Sequence, residues 1–231
     1  MANIINIETS TNVCSVALTS EGEVLEHYEN YDGQTHATLL SGFIKDVLHY
    51  ARTREIKIDA IAVSIGPGSY TGLRIGLSEA KGLAFGLDVP LIGINTLKLL
   101  TVTTMFAHFY DDENTLFVPM IDARRMEVYT AVYNNALKSV IEPQPMIIDE
   151  NSFCELLKDH HLVFFGNGSD KVKDVIKHPN AEYVSGIKPV ALSMMALSEK
   201  AFRESDFIDV AYSTPLYLKE YQTTKPKKSV F

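Results

Sequence analysis

The sequence predicts an α/β protein of two lobes, each built on a mixed β-sheet that helices flank. Two observations predict this class. The chain opens with three apolar strands joined by short turns and continues with alternating helices and strands, an order typical of mixed sheets. After an acidic turn at 111–114 the pattern restarts, which indicates a duplicated β-β-β-α unit. With 231 residues the chain is long enough for two cores.

The first lobe is predicted over residues 1–110, and residues 206–231 are predicted to pack back on it. Short apolar runs bounded by turn residues indicate five strands. These runs are 2–7, 13–18, 24–29, 60–65 and 89–94. Helices are predicted over 34–51, whose apolar residues share one face, over 70–87 and over 95–109.

The second, smaller lobe is predicted over residues 111–205. Its strands are expected at 116–121, 126–133, 138–141, 162–165 and 181–184. Pro143 and Pro145 place the chain after the third of these strands at a sheet edge or in a loop. Its helices are expected at 152–159, 169–178 and 189–203. Ser152 begins the first of them with a capping box, and a proline opens the last.

The composition predicts a cytoplasmic protein with no membrane span. No apolar run reaches the ~18 residues that a span needs, and no basic and apolar leader opens the chain. Cys14 and Cys154 are predicted to be buried, reduced thiols. A net charge of −8 disfavours nucleic-acid binding by the chain itself. The lysines at 225–228 are interpreted as a solvated terminus, with a contact to RNA or a partner as the alternative.

Residues 66–87 form the most informative stretch, a glycine-rich loop that leads into a glycine-rich helix. Each glycine inside a helix costs ~1 kcal/mol relative to alanine, so these glycines need another reason. Small residues recur at every fourth position, at Gly68, Gly72, Gly76, Ala80 and Ala84. Ser78, Gly82 and Gly86 form a second such row. Rows of this kind let a helix or a ligand approach the backbone closely, unless they pack only on their own sheet.

Three turns are candidates for phosphate binding, because backbone N–H groups and helix N-termini attract anions. They are the polar turn 8–12 and the glycine turns 66–69 and 166–169. None is a Walker loop, since no Gly-Lys-Ser/Thr follows. An ordinary turn is the alternative for each. The candidate phosphate-binding residues are Glu8, Thr9, Ser10, Gly68 and Ser69.

Residues 3–10, 14–18, 66–97 and 122–129 resemble the TsaB (YeaZ) family. The resemblance covers nearly the whole chain, and its glycine-rich segment is long and specific. It implies the two-lobed fold of actin, sugar kinases and heat-shock ATPases (ASKHA). It also implies a non-catalytic subunit of the bacterial machinery that makes N6-threonylcarbamoyladenosine at adenosine 37 of tRNAs reading ANN codons.

The catalytic paralogue in that machinery, TsaD, is similar through the same glycine helix. It continues, however, into His-x-x-x-His, whose imidazoles one helical turn apart bind a metal. Thr96 and Leu100 occupy those two positions here, and none of the seven histidines stands four residues from another. The resemblance therefore implies neither catalytic residues nor a metal site in this chain.

Nucleotide binding also departs from the superfamily pattern. The first-strand acid is usually Asp but is Glu8 here, and residues 122–125 replace an Asp-Gly-rich phosphate turn. Arg124 and Arg125 either contact phosphate or hold Asp122, Glu127 or a partner's carboxylates, and the second interpretation is favoured. We expect no cofactor, with weak ATP or ADP binding at the level of a complex as the alternative.

The resemblance implies that helices 34–50 and 70–87 pack against two helices of a partner. That partner is TsaD, or a second copy of this chain when TsaD is missing. The ATPase component TsaE then joins the complex, and tRNA is contacted only indirectly. The predicted interface residues are Leu39, Phe43, Val47, Tyr70, Gly72, Leu73, Gly76, Leu77, Ala80 and Ala84. Arg74 is predicted to pair with a carboxylate, within the chain or across the interface.

A rival hypothesis makes the chain an enzyme, an actin-like ATPase or small-molecule kinase with its own site between the lobes. That site would use Glu8, Thr9 and Ser10. Calorimetry of the isolated chain with Mg-ATP discriminates the two hypotheses, since low-micromolar binding that Glu8→Ala abolishes favours the enzyme.

Overall fold

A computed structural model describes residues 2–33 and 35–219 of the chain. The first of two sheets has five strands in the order β3-β2-β1-β4-β5. They are β1 Asn3–Glu8, β2 Cys14–Ser20, β3 Glu23–Asn30, β4 Ala60–Gly66 and β5 Leu91–Asn95. Strands β1, β2 and β3 form the predicted antiparallel meander, whereas β4 runs parallel to β1 and to β5.

The second sheet has the order β10-β9-β6-β7-β8. Its strands are β6 Thr115–Asp122, β7 Glu127–Tyr133, β8 Ser139–Ile147, β9 His161–Phe165 and β10 Ala181–Val184. Strands β6, β7 and β8 are antiparallel neighbours, and β6, β9 and β10 are parallel. Each sheet therefore has its first strand at the centre, a meander on one side and two parallel strands on the other. This repeated topology confirms the predicted duplication.

Five α-helices are present in the described part of the chain. They are α1 His36–Thr53, α2 Tyr70–Leu87, α3 Thr96–Ala107, α4 Cys154–Asp159 and α5 Met195–Glu204. A 3-10 turn, Ala191–Met194, leads into α5. None of these helices is long and apolar enough to cross a membrane.

Helices α1 and α2 cover one face of the first sheet, where Leu40 and Val47 of α1 and Leu77 of α2 join its core. On the opposite face, Met194 and Ala201 pack against the sheet together with α3. The predicted boundary at residue 205 assigns α5 to the second lobe, but its buried side chains contact the first sheet. Apart from α5, we propose that the lobes comprise residues 1–110 and 111–205.

Three local predictions are wrong. The hydroxyl of Ser152 donates to Asp149 instead of capping a helix, so α4 begins only at Cys154. Residues 169–178 form successive turns rather than a helix, and the Ser169 hydroxyl donates to Gly166 O instead of capping one. Cys14 is buried as predicted, but Cys154 is exposed.

The segment 206–219 contacts strands and a helix of the first sheet, whereas residues 220–231, with the terminal lysines, lie outside the described part. Ile208 N donates to Leu91 O at 2.8 Å, and Leu216 N donates to Ile65 O at 2.7 Å. The ammonium of Lys81 on α2 donates to two backbone carbonyls of this segment. Hydrogen bonds thereby attach segment 206–219 to α2 and to the first sheet.

Candidate docking face and the buried turn beneath it

The polar turn after β1 lies directly beneath the start of α2. Ser69 N donates to Ser10 O at 2.6 Å, and the Thr9 hydroxyl donates to Gly72 O at 2.8 Å. A Cβ at Gly72 would lie 2.1 Å from Thr9 O, and one at Gly76 would lie 2.2 Å from Thr9 Oγ1. The first row of small residues therefore serves the packing of α2 on its own lobe.

This packing contradicts part of the predicted interface. The predicted interface residues that face inward are buried within the lobe, so they have no surface to offer a partner. They are Val47, Gly72, Leu73, Gly76, Leu77, Ala80 and Ala84. Leu39, Phe43 and Tyr70 are half-buried. Spacing alone could not tell which row faces the sheet, because both rows repeat every fourth residue.

Glu8 lies at the centre of the buried turn and is completely shielded from solvent. Its Oε1 accepts a hydrogen bond from Ser10 N, whereas its Oε2 has no partner among the described residues. Burial raises the pKa of this carboxyl to about 7, and the neighbouring Ser10 and Ser64 offset only part of that effect.

The other predicted phosphate-binding residues are also engaged within the chain. Thr9 and Ser10 are fully buried, Gly68 packs against the Ser10 backbone, and the Ser69 hydroxyl accepts from Gly72 N as the cap of α2. A phosphate cannot reach Glu8, Thr9 or Ser10 in the folded conformation, which corrects the prediction for these three residues. Ser69 is exposed and Gly68 half-buried.

A cavity lies between the two predicted lobes. It has a volume of ≈ 100 Å³, with Thr11 and Asn12 on one side and Asn167 and Lys188 on the other. Sites for ligands the size of a nucleotide usually measure ~300–1,000 Å³. This cavity is therefore too small for a nucleotide in this conformation.

The outward side of α1 and α2, here called the docking face, is open. Its exposed residues are Ala37, Ser41, Gly42, Lys45, Arg74, Ser78, Gly82, Phe85 and Gly86. The Ser41 hydroxyl donates to Glu79 Oε1 at 2.6 Å and ties the two helices together. Nothing lies within 4 Å of a Cβ built at Gly42, Gly82 or Gly86. The second row of small residues thus lines a groove that a helix can approach closely.

Arg74 stands at the edge of this groove between two tyrosines. Its guanidinium lies 4.0 Å from the ring centre of Tyr70, and its Nε donates to Tyr217 Oη at 2.9 Å. The carboxylate partner predicted within the chain is not found among residues 2–33 and 35–219. Cation–π contact and the tyrosine hydroxyl position the guanidinium instead.

The amino-acid sequence is similar to those of known proteins. A family model described as TsaD, tRNA N6-adenosine threonylcarbamoyltransferase, matches residues 24–225. Over 227 residues the chain is 31% identical to the tRNA threonylcarbamoyladenosine biosynthesis protein TsaB of Escherichia coli, covering 94% of each protein. It is 32% identical over 227 residues to the protein of that description from Bacillus subtilis, covering 94% of this chain and 93% of the relative. The chain belongs to the TsaB (YeaZ) family.

A solved structure agrees with this assignment. It is described as an uncharacterized protein with similarity to peptidase YeaZ from Pseudomonas aeruginosa. It superposes with a TM-score of 0.81 at 26% identity, over 95% of this chain and 100% of that chain. The family resemblance predicted from the motifs is confirmed, together with the two-lobed fold.

Within the TsaB family frame, the positions that carry histidines in TsaD are informative. Thr96 begins α3 and Leu100 follows one turn later, and both are buried. In the described ranges no group of three or more His, Cys, Asp or Glu side chains could hold a metal ion.

The second-lobe arginines of this TsaB family member do not hold the nearby carboxylates. Asp122 is paired with Lys171 and Glu127 with Lys219. Arg124 and Arg125 are exposed. The favoured interpretation is therefore wrong for Asp122 and Glu127, because lysines already pair with both carboxylates. Its other part, a contact with a partner's carboxylates, stays a prediction.

Proposed function

We propose that this chain is a non-catalytic subunit required for threonylcarbamoyl transfer to adenosine 37 of tRNAs reading ANN codons. It acts by binding the catalytic transferase TsaD through the docking face. One observation carries this proposal. Glu8, Thr9 and Ser10 are buried and the expected metal-binding histidines are replaced by Thr96 and Leu100, whereas a groove of small residues on α1 and α2 is open.

The chemistry of the docking face fits a pair of partner helices. Gly82 and Gly86 allow close backbone approach, and Phe85, which is 84% exposed, offers an aromatic anchor of the kind that dominates interface energy. Arg74, already fixed by its tyrosines, loses little conformational freedom on binding a partner carboxylate.

The same face serves a second copy of this chain when TsaD is missing, because a two-fold interface needs only a self-complementary patch. Formation of the complex creates the surface for the ATPase component TsaE. We place the complex in the cytoplasm and assign the chain no cofactor of its own.

The rival function, an ATPase or small-molecule kinase, has less support. It needs Glu8, Thr9 and Ser10 at an open site, but all three are fully buried. It also needs room for a nucleotide, which a cavity of ≈ 100 Å³ does not provide.

Reconstitution tests the proposed function. A TsaD-type transferase with TsaE, unmodified tRNA and a threonylcarbamoyl donor is assayed with and without this chain. We expect N6-threonylcarbamoyladenosine to form only when the chain is present. Equal product without it would contradict an activating role, and ATP turnover by the isolated chain that Glu8→Gln abolishes would favour the rival.

A further inference from the structure

The turn between β6 and β7 has an unusual backbone. Arg124 and Arg125 have φ angles of 71° and 53°, in the left-handed region that residues other than glycine seldom adopt. Two consecutive arginines in this conformation persist only when surrounding contacts hold them. We call residues 122–127 the arginine turn.

Contacts inside the arginine turn hold its backbone. Asp122 Oδ1 accepts from Arg124 N at 3.0 Å, and Ala123 N donates to Glu127 O at 3.1 Å. The ammonium of Lys171 donates to Arg125 O at 2.6 Å and to Glu127 O at 2.7 Å, besides pairing with Asp122. The backbone of the turn is therefore fixed while its two arginine side chains remain exposed.

The local charges do not balance. The two carboxylates of the turn, Asp122 and Glu127, are each paired with a lysine. Neither Arg124 nor Arg125 makes a side-chain hydrogen bond or ion pair with any residue of the described ranges 2–33 and 35–219. Among the charged side chains of the turn and its two lysines, the two arginines are thus left without a carboxylate, on a chain whose net charge is −8.

We propose that the arginine turn binds backbone phosphates of the tRNA in the assembled complex. Guanidinium groups match phosphate geometry and bind it with two hydrogen bonds. An acidic chain repels RNA in general, so a fixed cluster of unpaired arginines marks the place where RNA approaches it. The turn lies beside the docking face, because Tyr217 contacts Arg74 of that face and Lys219, two residues further on, pairs with Glu127 of the turn. An RNA on the turn therefore lies next to a partner protein on that face.

This inference rests on the proposed function, because the tRNA reaches the chain only within the transferase complex. Its test therefore uses the complex of the full chain with the TsaD-type transferase. The affinity of unmodified tRNA is measured for wild type and for the double variant Arg124→Asn/Arg125→Asn over a series of salt concentrations. Asparagine tolerates the left-handed conformation, so the turn keeps its shape.

We expect the double variant to bind tRNA at least about tenfold more weakly at low salt. Its plot of log affinity against log salt should be less steep by roughly 1.4–1.8, because each of the two phosphate contacts contributes about 0.7–0.9 to that slope. Arg124→Lys/Arg125→Lys should restore most of the slope. A matched control, Lys200→Gln/Arg203→Gln on α5, removes the same charge from exposed positions and should leave the slope unchanged.

Three outcomes would overturn the inference. In the first, the double variant and the control give equal salt slopes. In the second, the double variant no longer binds the transferase but each complex that forms keeps its tRNA affinity, which assigns the arginines to a protein carboxylate. In the third, wild type forms no complex with the transferase, which removes the proposed function and this inference with it.

Discussion

At the scale of single residues, Glu8 is a fully buried carboxyl that lacks a charged partner among the described residues. Its folded-state pKa of about 7 lies above the ordinary value of 4.5, because burial disfavours the charged carboxylate. The native state therefore holds this proton more tightly than the unfolded chain. The stability that results is complete below pH 4.5 and is lost as the pH rises through 7.

Replacing Glu8 with glutamine tests this linkage. The free energy of unfolding of wild type should fall by up to about 3 kcal/mol between about pH 4.5 and pH 8, since one pKa unit corresponds to ~1.4 kcal/mol. Glu8→Gln, which cannot ionise, should lack this component and be the more stable protein at about pH 8. Urea unfolding at several pH values measures both. Parallel pH profiles of the two proteins would show that Glu8 does not titrate in this range.

The sequence could indicate that Glu8 begins a polar turn, but not that the turn is buried. The turn is buried because α2 packs above it. That packing is possible only because Gly72 and Gly76 have no side chains that would clash with Thr9. Contacts between segments more than sixty residues apart leave no periodic signal in either segment.

At the scale of elements, α2 has the predicted bounds 70–87 because local signals mark both of its ends. The Ser69 hydroxyl caps its start, and Asp88 ends it in the left-handed conformation. The predicted helix 169–178 also begins at a serine, but the Ser169 hydroxyl donates to Gly166 O and the chain there forms turns. A serine before an apolar segment therefore did not decide whether a helix forms, and the face that each helix presents to its sheet was not predictable either.

The two rows of small residues on α2 should respond oppositely to alanine. Gly76→Ala introduces a Cβ 2.2 Å from Thr9 Oγ1, and we expect a loss of roughly 1–3 kcal/mol from overpacking. Gly82→Ala, the matched control, enters open space and should stabilise the isolated chain by up to about 1 kcal/mol. Thermal unfolding of wild type and both variants measures the two changes in stability. Equal effects would mean that the first row does not face the turn.

At the scale of the whole molecule, the duplicated sheet order was predictable because each lobe repeats the same strand-rich pattern. The position of α5 was not predictable. In the sequence α5 comes after the strands of the second sheet, but its buried residues belong to the core of the first. Lys219, near the end of the described chain, pairs with Glu127 of β7. The returning segment therefore joins the lobes as well as covering α2.

The central claim is that a partner protein binds the docking face, and one measurement tests it most directly. Wild type, Gly82→Arg and Ala196→Arg are co-purified with the TsaD-type transferase. Gly82 and Ala196 are both exposed helical positions, on the docking face and on α5 respectively. We expect Gly82→Arg to lose the complex while keeping its thermal stability, and Ala196→Arg to retain both. A Gly82→Arg chain that binds the transferase as wild type does would contradict the account.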